Sequence, residues 1–427
     1  MLAVMMGFFA LFGALGVPIV AALGLASALG VVLTTDLSLL VIVQRMAAQL
    51  DTFVLLAIPL FILAGVLMNA GGITDRLYRF SAVLVGHLVG GLAQVNVLLS
   101  VLFGGLSGSS SADAAAEGKM LVPIMIRAGY SAEFSAAITA VSSIVAPVIP
   151  PSITMIIYSS ITGASVGRLF IAGIIPGLLM GLAMAIVVHR ISRKRGYGRD
   201  RQRATFREVV QATRECFWGL MMPVIIVVGI RFGIFTPTEA AGIAAIYALL
   251  VGMFVHRELR LADLPGIFVE TARDSGVVML IIAAAAPFTW ILAQARVPQT
   301  ITEQVLSHTT NPYMFLLLAN LFLLFMGCIM EVTALLVILV PVLAPPAFAL
   351  GIDPVVFGLI ITVNLNLGTV TPPFGQVTFL TSAVTGVSGE KIFKESMPFI
   401  WSVAVVLLFV TYVPWSYMWL VDLIGPR

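Results

Sequence analysis

The sequence predicts an all-α polytopic membrane protein built from two inverted repeats, each with a re-entrant helical hairpin and a discontinuous helix. Three observations lead to this prediction: the composition, a series of apolar stretches, and an internal repeat. Of the 427 residues, 60% are hydrophobic and only 10% are charged, with a mean hydropathy of +1.09. A soluble domain carries about 25% charged residues to cover its surface. The composition therefore excludes a soluble globular domain.

Apolar stretches of about 20 residues, the length needed to cross a bilayer, recur from one end of the chain to the other. Residues 1–33 are too long and too weakly basic for a cleaved signal peptide, so they are interpreted as the first span. Two further stretches contain small or polar residues and are interpreted as hairpins that enter and leave on the same side. The predicted spans are 3–33, 52–70, 132–161, 169–188, 216–231, 233–255, 276–294, 355–383 and 397–422, and the predicted hairpins are 92–127 and 312–348.

One segment, residues 189–214, is strongly basic. Short loops rich in Arg and Lys stay on the cytoplasmic side of a membrane, so this segment fixes the orientation. Counting spans outward from it places the N-terminus in the cytoplasm and the C-terminus in the periplasm. Membrane topology therefore explains the net charge of +3, and no nucleic-acid binding is predicted. The basic residues are Arg190, Arg193, Lys194, Arg195, Arg199, Arg201, Arg203, Arg207 and Arg214.

An internal repeat divides the chain into two halves. Pro150-Pro151 is followed by Thr-Gly-Ala-Ser at 162–165. Pro372-Pro373 is followed by Thr-Gly-Val-Ser at 385–388, which is 222 or 223 positions later. The same residue types at a constant offset indicate a duplicated unit.

The helix starts in the two halves also coincide. Ser131 and Asp353 are equivalent by the same offset, and both are good N-cap residues. The span at 216–231 separates the halves and reverses the direction in which the second half crosses the membrane. Inverted repeats with broken helices are typical of secondary transporters, whose substrate site lies near the midplane. The predicted units are 1–190, the first repeat with a broken helix at 132–161; 191–232, the basic loop and linking span; and 233–427, the second repeat with a broken helix at 355–383.

The middle of the first predicted hairpin, residues 104–113, is rich in glycine and serine. Non-helical backbone at membrane depth is tolerated only where it is buried in protein or lines a watery cavity. Serine hydroxyls and free carbonyls are hard oxygen ligands suited to Na⁺, which favours a binding tip; close packing of small residues is the alternative. Asp113, Glu117 and Lys119 follow at helical spacing, and Asp113 suits either a functional site or the positive end of a helix dipole.

Two proline-rich segments interrupt predicted helices. Residues 142–152 contain three prolines within five positions, and each proline removes a backbone donor and blocks a helical turn. The break frees carbonyls on one side, suited to a cation, and N–H groups on the other, suited to an anion. Its repeat counterpart, residues 364–373, adds two amides and hydroxyls that are costly in an apolar setting without partners. A simple kinked helix is the alternative.

The second predicted hairpin tip, residues 327–334, carries Glu331 within a long apolar run. This carboxylate suits neutralisation of a cation or capping of the returning helix, and proton exchange is a further alternative. The segment Thr236-Pro237-Thr238-Glu239 is interpreted structurally, as an N-cap, a first helical proline and a capping box.

No enzyme active site is predicted. Gly105-Leu106-Ser107-Gly108 matches the Gly-x-Ser-Gly of rhomboid-type intramembrane proteases. Such a nucleophile needs a histidine base within hydrogen-bond reach, and no histidine is predicted in the middle of a span. The histidines are His87, His189, His256 and His308.

Taken together, these motifs resemble the large membrane subunit of a tripartite ATP-independent periplasmic (TRAP) transporter, of the ion transporter superfamily. The resemblance covers essentially the whole chain, and its motifs are specific in combination. The segments that carry it are 104–116, 150–165, 233–241 and 368–375.

The resemblance implies an elevator-type transporter that takes up an organic acid, with Na⁺ as the coupling ion and the only metal. It also implies two Na⁺ sites, one at each hairpin tip, with the substrate between them. The first Na⁺ site would comprise Ser107, Gly108, Ser109, Ser110, Ala146 and Pro147. The second would comprise Glu331, Thr333, Gly368, Thr369 and Thr371. The substrate site would comprise Ser111, Asp113, Pro150, Ser152, Asn364, Asn366 and Pro372.

The resemblance further implies partners in and beside the bacterial inner membrane. A soluble periplasmic binding protein would deliver the acid, and a small membrane subunit of about four spans would complete the permease in the lipid bilayer. Because this chain reaches 427 without extra spans, the small subunit is expected to be a separate polypeptide. The alternative is a stand-alone Na⁺- or H⁺-coupled anion symporter of related fold, which needs no binding protein.

Overall fold

The computed structural model of the chain describes residues 1–198 and 202–425. Within these ranges the protein consists of helices and their connections, and no strand occurs. The α-helices are α1 (Leu2–Ala14), α2 (Ile19–Thr34), α3 (Leu40–Leu50), α4 (Ala57–Ala70), α5 (Ile73–Val85), α6 (Gly91–Ser107), α7 (Ser110–Arg127), α8 (Ala132–Ser142), α9 (Ile153–Thr162), α10 (Val166–Arg195), α11 (Phe206–Arg231), α12 (Pro237–Leu250), α13 (Leu264–Gln294), α14 (Val297–His308), α15 (Pro312–Ile329), α16 (Val332–Ala349), α17 (Pro354–Gly368), α18 (Gln376–Thr385), α19 (Gly389–Tyr412) and α20 (Trp415–Ile424).

Eight helical segments in the described ranges are long and apolar enough to cross a membrane. Their outward surfaces are apolar too: on α10, Leu178, Leu182 and Ile186 are exposed at one-turn spacing. An exposed leucine stripe of this kind suits contact with lipid rather than water. The predicted all-helical class and the membrane-length helices are therefore confirmed. The eight segments are Phe53–Ala70, Val166–Arg195, Phe206–Arg231, Pro237–Val255, Leu261–Gln294, Pro312–Ile329, Val332–Ala349 and Gly389–Tyr412.

Two helical hairpins and two broken helices occupy the positions that the sequence predicts. Hairpin 1 is α6 and α7 with the turn 108–109, and hairpin 2 is α15 and α16 with the turn 330–331. Broken helix 1 is α8 and α9, interrupted over 143–152, and broken helix 2 is α17 and α18, interrupted over 369–375. The peptide bonds Pro150-Pro151 and Pro372-Pro373 lie in these interruptions and are cis. Each of these helices in the second half starts 221 to 223 positions after its counterpart.

The helices fall into two groups that pack closely on each other, chiefly α5 on α6 and both α13 and α14 on α16. The first group, called the inner body, is the two hairpins, the two broken helices, α10, α19 and α20, with α17 packed on α15 and α19, and α8 packed on α7 and α19. The outer body is α1–α5 and α11–α14, with α4 packed along α12 and α13. Apolar contacts join the bodies; a Cβ on Gly105 of hairpin 1 would lie 3.2 Å from Pro223 Cγ of α11. A cavity of about 190 Å³ between them is lined by Leu77, Val101, Leu102, Gly105, Ile149, Ile174, Leu178, Gly219, Leu220 and Pro223.

The prediction of one span over 3–33 is wrong, because α1 and α2 are separate helices. Gly16 has a φ of +71° and Pro18 precedes α2, so the backbone turns between them. A Cβ on Gly30 would lie 3.1 Å from Met5 Cβ, which places the start of α1 beside the end of α2. The pair is therefore antiparallel.

Other predicted boundaries also need correction. The span 397–422 is two helices, because α19 ends at Tyr412 and Pro414 stands directly before α20. Helix α13 starts at Leu264 rather than near 276, and α11 starts at Phe206, inside the basic segment. Arg199 and Arg201 of that segment lie outside the described residues. The short helices α3, α5 and α14 were not predicted.

The predicted helix caps are confirmed. Ser131 Oγ accepts from the backbone N–H of residue 134 at 3.3 Å, and Asp353 Oδ1 accepts from that of residue 355 at 2.7 Å. Thr236 and Glu239 form a reciprocal capping box: the Thr236 N–H donates to Glu239 Oε2 at 2.7 Å, and the Glu239 N–H donates to Thr236 Oγ1 at 3.3 Å. These side chains hold the ends of α8, α17 and α12.

Candidate functional site

The tip of hairpin 1 lies directly against the interruption of broken helix 1. A Cβ on Gly104 would lie 3.0 Å from the Cα of Ala146. Gly108 has a φ of +60°, and a Cβ there would lie 2.4 Å from the carbonyl oxygen of Pro151. Only glycine allows both the left-handed turn and this approach of one backbone to another. The two segments that carry the predicted first Na⁺ site, the hairpin tip and the break, therefore lie against each other, with Ala146 beside Gly104 and Gly108 beside Pro151.

Serine side chains shape the tip of hairpin 1. The Ser107 hydroxyl donates to Asp113 Oδ1, and Ser107 Oγ accepts from the Ser109 N–H at 3.2 Å. Ser109 Oγ accepts from the Ala112 N–H at 3.4 Å and caps α7. Asp113 is buried, and its second oxygen, Oδ2, has no hydrogen-bond partner among the residues that the structure describes. The tip therefore presents one unsatisfied carboxylate oxygen beside several hydroxyls.

The interruption of broken helix 1 has its own hydrogen bonds. The Ser152 hydroxyl donates to the carbonyl of Pro147 and accepts from the Met155 N–H at 3.2 Å, which caps α9. The carbonyl oxygen of Pro150 would lie 3.7 Å from a Cβ on Gly105. The predicted residues of this break are held in place by Ser152 and face hairpin 1.

The tip of hairpin 2 meets broken helix 2 in the same way. A Cβ on Gly327 would lie 3.1 Å from the Cα of Gly368, and a Cβ on Gly368 would lie 2.6 Å from the carbonyl carbon of Gly327. Glu331 caps α16, because its Oε2 accepts from the Ala334 N–H at 3.0 Å. Thr333 donates its hydroxyl to Glu331 Oε1 at 2.8 Å. Capping of the returning helix, one predicted role of Glu331, is confirmed.

Hydroxyl groups follow α17 into its interruption. Thr369 donates to the carbonyl of Asn366 at 2.6 Å, and Thr371 donates to that of Leu367 at 2.7 Å. A hydroxyl that donates its only proton to a carbonyl keeps its oxygen lone pairs available as acceptors. These threonines therefore retain oxygen atoms that suit a cation. Pro372 follows directly, beside the cis bond.

A hydrogen bond joins the tip of hairpin 1 to broken helix 2 in the second half. The Ser110 hydroxyl donates to Asn366 Oδ1 at 3.3 Å, and Asn366 donates its amide to the carbonyl of Thr362 at 2.8 Å. Ser110 and Asn366 are both buried. The structure thus brings a residue of the predicted first Na⁺ site against a residue of the predicted substrate site.

Asn364 has a packing role. It is fully buried, and its amide donates to the side-chain oxygen of Asn320 at 2.7 Å and to the Asn320 carbonyl at 2.9 Å. In the first half, the Ser142 hydroxyl donates to Asn96 Oδ1 at 2.9 Å. Each of these bonds ties the first helix of a hairpin to the first part of the broken helix behind it.

A cavity of about 800 Å³ lies between the tip of hairpin 1 and the outer-body helices α4, α5 and α13; it is called the vestibule below. Of the predicted site residues, Ser107, Ser109, Ser111 and Asp113 line it. Three acidic residues on the outer-body wall, Asp75, Glu270 and Asp274, were not predicted from the sequence. Its full lining is Ile62, Gly65, Val66, Asn69, Gly72, Thr74, Asp75, Phe103, Ser107, Ser109, Ser111, Ala112, Asp113, Ala115, Ala116, Lys119, Met120, Ile153, Glu270, Asp274, Val277 and Val278.

A bundle of membrane-length helices whose hairpin tips meet broken helices is the fold of a polytopic membrane protein. The YdaH transporter of Alcanivorax borkumensis has a similar structure, with a TM-score of 0.61 at 15% identity, covering 97% of this chain and 99% of that one. MtrF of Neisseria gonorrhoeae is similar with a TM-score of 0.55 at 13% identity, covering 95% and 94%. At these identities the likeness shows the fold alone.

The chain belongs to the tripartite ATP-independent periplasmic transporter family, DctM component, whose family model matches residues 6–416. The isethionate TRAP transporter permease protein DctMQ of Oleidesulfovibrio alaskensis is 42% identical over 97% of this chain, which spans 65% of that relative's length. The C4-dicarboxylate large permease protein DctM of Pseudomonas aeruginosa is 39% identical, covering 92% of both chains. The sialic acid large permease protein SiaM of Vibrio cholerae is 38% identical, covering 90% of both. The chain is thus a multi-pass membrane transporter component, and these relatives are permeases rather than enzymes.

Proposed function

We propose that this chain is the large permease subunit of a TRAP transporter that takes up an organic acid anion with Na⁺ by an elevator mechanism. The named substrates of the relatives, isethionate, C4-dicarboxylate and sialic acid, are all organic acids. One observation carries the proposal: each hairpin tip meets the interruption of the broken helix in its own half at backbone contact distance. Breaks of this kind at membrane depth expose carbonyls and N–H groups, the groups that hold ions and acids in secondary transporters.

Opposite openings of the two hairpins support an inverted repeat. At the base of hairpin 1, the Gly90 N–H donates to the carbonyl of Gly198, just past the end of α10, at 3.1 Å. At the base of hairpin 2, the ring of Tyr313 lies 6.1 Å from that of Tyr412, at the end of α19. The end of α10 and the start of α19 lie together, because Arg195 pairs with Glu395 at 2.8 Å. Hairpin 2 therefore opens at the end opposite to hairpin 1.

The basic segment indicates which end of the molecule faces the cytoplasm. It begins in the last two turns of α10, so we place the opening of hairpin 1 toward the cytoplasm and that of hairpin 2 toward the periplasm of a bacterial inner membrane. The C-terminus then lies on the periplasmic side. The sequence-based count that places the N-terminus in the cytoplasm treats residues 3–33 as one span. Because α1 and α2 are two antiparallel helices, the count gains one membrane crossing, and we therefore place the N-terminus on the periplasmic side as well.

The two Na⁺ sites are proposed where hydroxyls and backbone oxygens converge. The first lies between the hairpin 1 tip and the carbonyls near Pro147, and the second between the Glu331 cap and the threonine hydroxyls after Gly368. The organic anion would lie between them, near Ser110 and Asn366, whose hydrogen bond joins the halves. Hard oxygen ligands of this kind suit a small alkali cation.

In the elevator model, the inner body slides against the outer body. Apolar side chains and glycines make up the walls of the cavity that separates α6 and α10 from α5 and α11. Such an interface slides without breaking ion pairs within it. The outer body would then stay fixed in the membrane. We propose that a small membrane subunit of about four spans docks on the lipid-facing surface of the outer body.

The Na⁺ proposal is tested by uptake into proteoliposomes that contain this chain, its small membrane partner and its periplasmic binding protein. Thr371→Val removes a proposed ligand oxygen at constant side-chain size, and we expect the Na⁺ concentration for half-maximal uptake to rise about tenfold. Thr213→Val is the matched control, because Thr213 also donates to a carbonyl one turn back, at 2.7 Å, on the exposed face of α11. Unchanged Na⁺ dependence in Thr371→Val removes Thr371 from the site. Uptake without any binding protein favours the stand-alone symporter instead.

The elevator proposal has a separate test. Ala112→Cys and Met330→Cys place a thiol at the two hairpin tips outside the proposed ion ligands, and a membrane-impermeant thiol reagent is applied to each face. We expect the accessible face of each tip to change with Na⁺ and substrate, while Thr213→Cys reacts from one face throughout. Tips that react from the same face under every condition contradict an elevator.

A further inference from the structure

The wall of the vestibule carries an unexpected charge for a protein proposed to carry an anion. Asp75, Glu270 and Asp274 line it with exposed carboxylates, and Lys119 is the single basic residue of the lining within the described part of the chain. Asp113 adds a fourth carboxyl group at the far wall. A cavity lined mainly by one sign of charge focuses the field and depletes ions of the same sign.

The three carboxylates belong to the outer body and share one side of the vestibule. Asp75 lies in the first turn of α5, and Glu270 and Asp274 lie one turn apart on α13, so they face the same way. The neighbouring Arg76 does not neutralise them, because its guanidinium pairs with Glu258 at 2.7 Å and donates to the carbonyl of Gly72 at 2.6 Å.

The acidic wall lies near one end of the molecule. A Cβ on Gly71, just past α4, would lie 3.1 Å from the Cα of Gly252, at the end of α12. Helix α12 returns toward the end of the molecule where α11 starts, which is the end of the basic segment. The acidic wall therefore lies where the vestibule opens toward the cytoplasm.

We propose that this acidic wall repels organic anions from the cytoplasmic vestibule, so that an acid released from the hairpin tips leaves and does not rebind. The inference rests on the proposed function, since it assigns the wall a role in release of the transported acid. It makes Asp75, Glu270 and Asp274 determinants of direction: the cytoplasmic face binds the anion more weakly than the periplasmic face.

The field is measured directly with two thiol reagents of opposite charge and similar size. Val278→Cys places a reporter thiol in the vestibule of the assembled permease. It is treated from the cytoplasmic face with the sulfonatoethyl (anionic) and trimethylammonioethyl (cationic) methanethiosulfonates. The measured quantity is the ratio of the cationic to the anionic reaction rate, and we expect it to be about tenfold higher than for a free thiol in solution. The ratio should fall toward the free-thiol value in 1 M salt, where the screening length is about 3 Å.

Charge removal decides which residues create the field. In the reporter background, Asp75→Asn with Asp274→Asn should return the ratio most of the way to the free-thiol value. Glu215→Gln, an exposed carboxylate on α11 outside the vestibule, should leave it unchanged. The parent chain without the reporter controls for Cys216 and Cys328, which are buried. The proposed acidic wall is refuted if the cationic-to-anionic rate ratio in the reporter background equals that of the free thiol. It is also refuted if this ratio is the same with and without Asp75→Asn and Asp274→Asn.

A transport assay tests whether the acidic wall promotes release of the acid. Proteoliposomes are loaded with isethionate, succinate or sialic acid, and inhibition of Na⁺-driven uptake by the internal anion is measured. Asp75→Asn with Asp274→Asn should be inhibited at a several-fold lower internal concentration than the parent. Equal inhibition, together with an altered reagent ratio, refutes the release role while uptake itself stands. Absence of Na⁺-dependent uptake for every acid refutes the proposed function, and the reagent ratio still reports whether the wall exists.

Discussion

Gly368 is the position at which a single added methyl group most directly tests the geometry of the proposed second Na⁺ site. In Gly368→Ala, the new Cβ would lie 2.6 Å from both the Cα and the carbonyl carbon of Gly327 and 3.1 Å from the Cys328 nitrogen. Ordinary contacts of a Cβ lie at 3.4–4 Å, so the tip of hairpin 2 must move away by about 0.8 Å. The atoms it meets are backbone, so no side-chain rotation relieves the overlap.

The expected cost follows from that displacement. Overpacking of this kind costs about 1–3 kcal/mol, less the gain of up to about 1 kcal/mol that alanine brings to a helix. Binding constellations tolerate shifts of about 0.5 Å, so a larger shift at the tip should raise the Na⁺ requirement about tenfold or more. Gly327→Ala meets its nearest atoms at 3.1 Å and should have a smaller effect in the same direction.

The assay is thermal unfolding in detergent and Na⁺-dependent uptake, measured on the same preparations. Gly276→Ala is the matched control, because a Cβ on this exposed helical residue of α13 meets nothing within 4 Å. We expect stability to rank Gly276→Ala first, then Gly327→Ala, then Gly368→Ala. Parental stability and parental Na⁺ dependence in Gly368→Ala would refute the packing of hairpin 2 against broken helix 2.

Three further predictions address single interactions. Ser110→Ala leaves Asn366 Oδ1 without its donor and should lower the free energy of unfolding by about 0.6 kcal/mol, measured as a lower melting temperature; an unchanged melting temperature contradicts the contact. Thr236→Ala breaks the capping box of α12 and should cost about 1 kcal/mol of stability with Na⁺ dependence retained; lost Na⁺ coupling at parental stability would instead indicate a functional role. Burial lowers the pKa of His256, whose Nδ1 lies 2.9 Å from the carbonyl of Gly71, so the unfolded chain binds the proton more readily and stability should fall as pH drops below about 6.5. His256→Asn keeps a donor near the Nδ1 position and should flatten this pH dependence of melting; an unaltered pH profile contradicts the assignment.

The hairpins and breaks are predictable from sequence because proline and glycine constrain the backbone locally. Pro150-Pro151 and Pro372-Pro373 both lie in helix interruptions, as predicted. The predicted hairpins at 92–127 and 312–348 agree with the observed helices to within one residue. Capping residues such as Ser131 act in the same local way, since their partner is three positions along the chain.

The error at the N-terminus has a different origin. An apolar run of 31 residues satisfies the length of a span, and hydropathy carries no information about where such a run folds back. Gly16 and Pro18 were the available signals, because glycine followed by proline marks the end of one helix and the start of the next. The turn between α1 and α2 follows from those two residues rather than from composition.

Side-chain neighbours that are distant in sequence were the least predictable part. A buried asparagine needs a partner, and the sequence does not say whether that partner is a ligand or the protein itself. Asn366 meets Ser110 across the two halves, whereas Asn364, only two positions earlier, meets Asn320. The acidic wall was missed because Glu270 and Asp274 lie in the polar start of a helix that was predicted to begin later.

The hydrogen bond between Ser110 and Asn366 has a thermodynamic consequence. It is one of many contacts between the two halves of the chain, which also pack together through α7 with α18 and α8 with α19. Residues in direct contact do not contribute additively to a free energy. If each half holds an ion as proposed, the two binding free energies are therefore expected to be coupled, and a double-mutant cycle on Ser110 and Asn366 would measure that coupling.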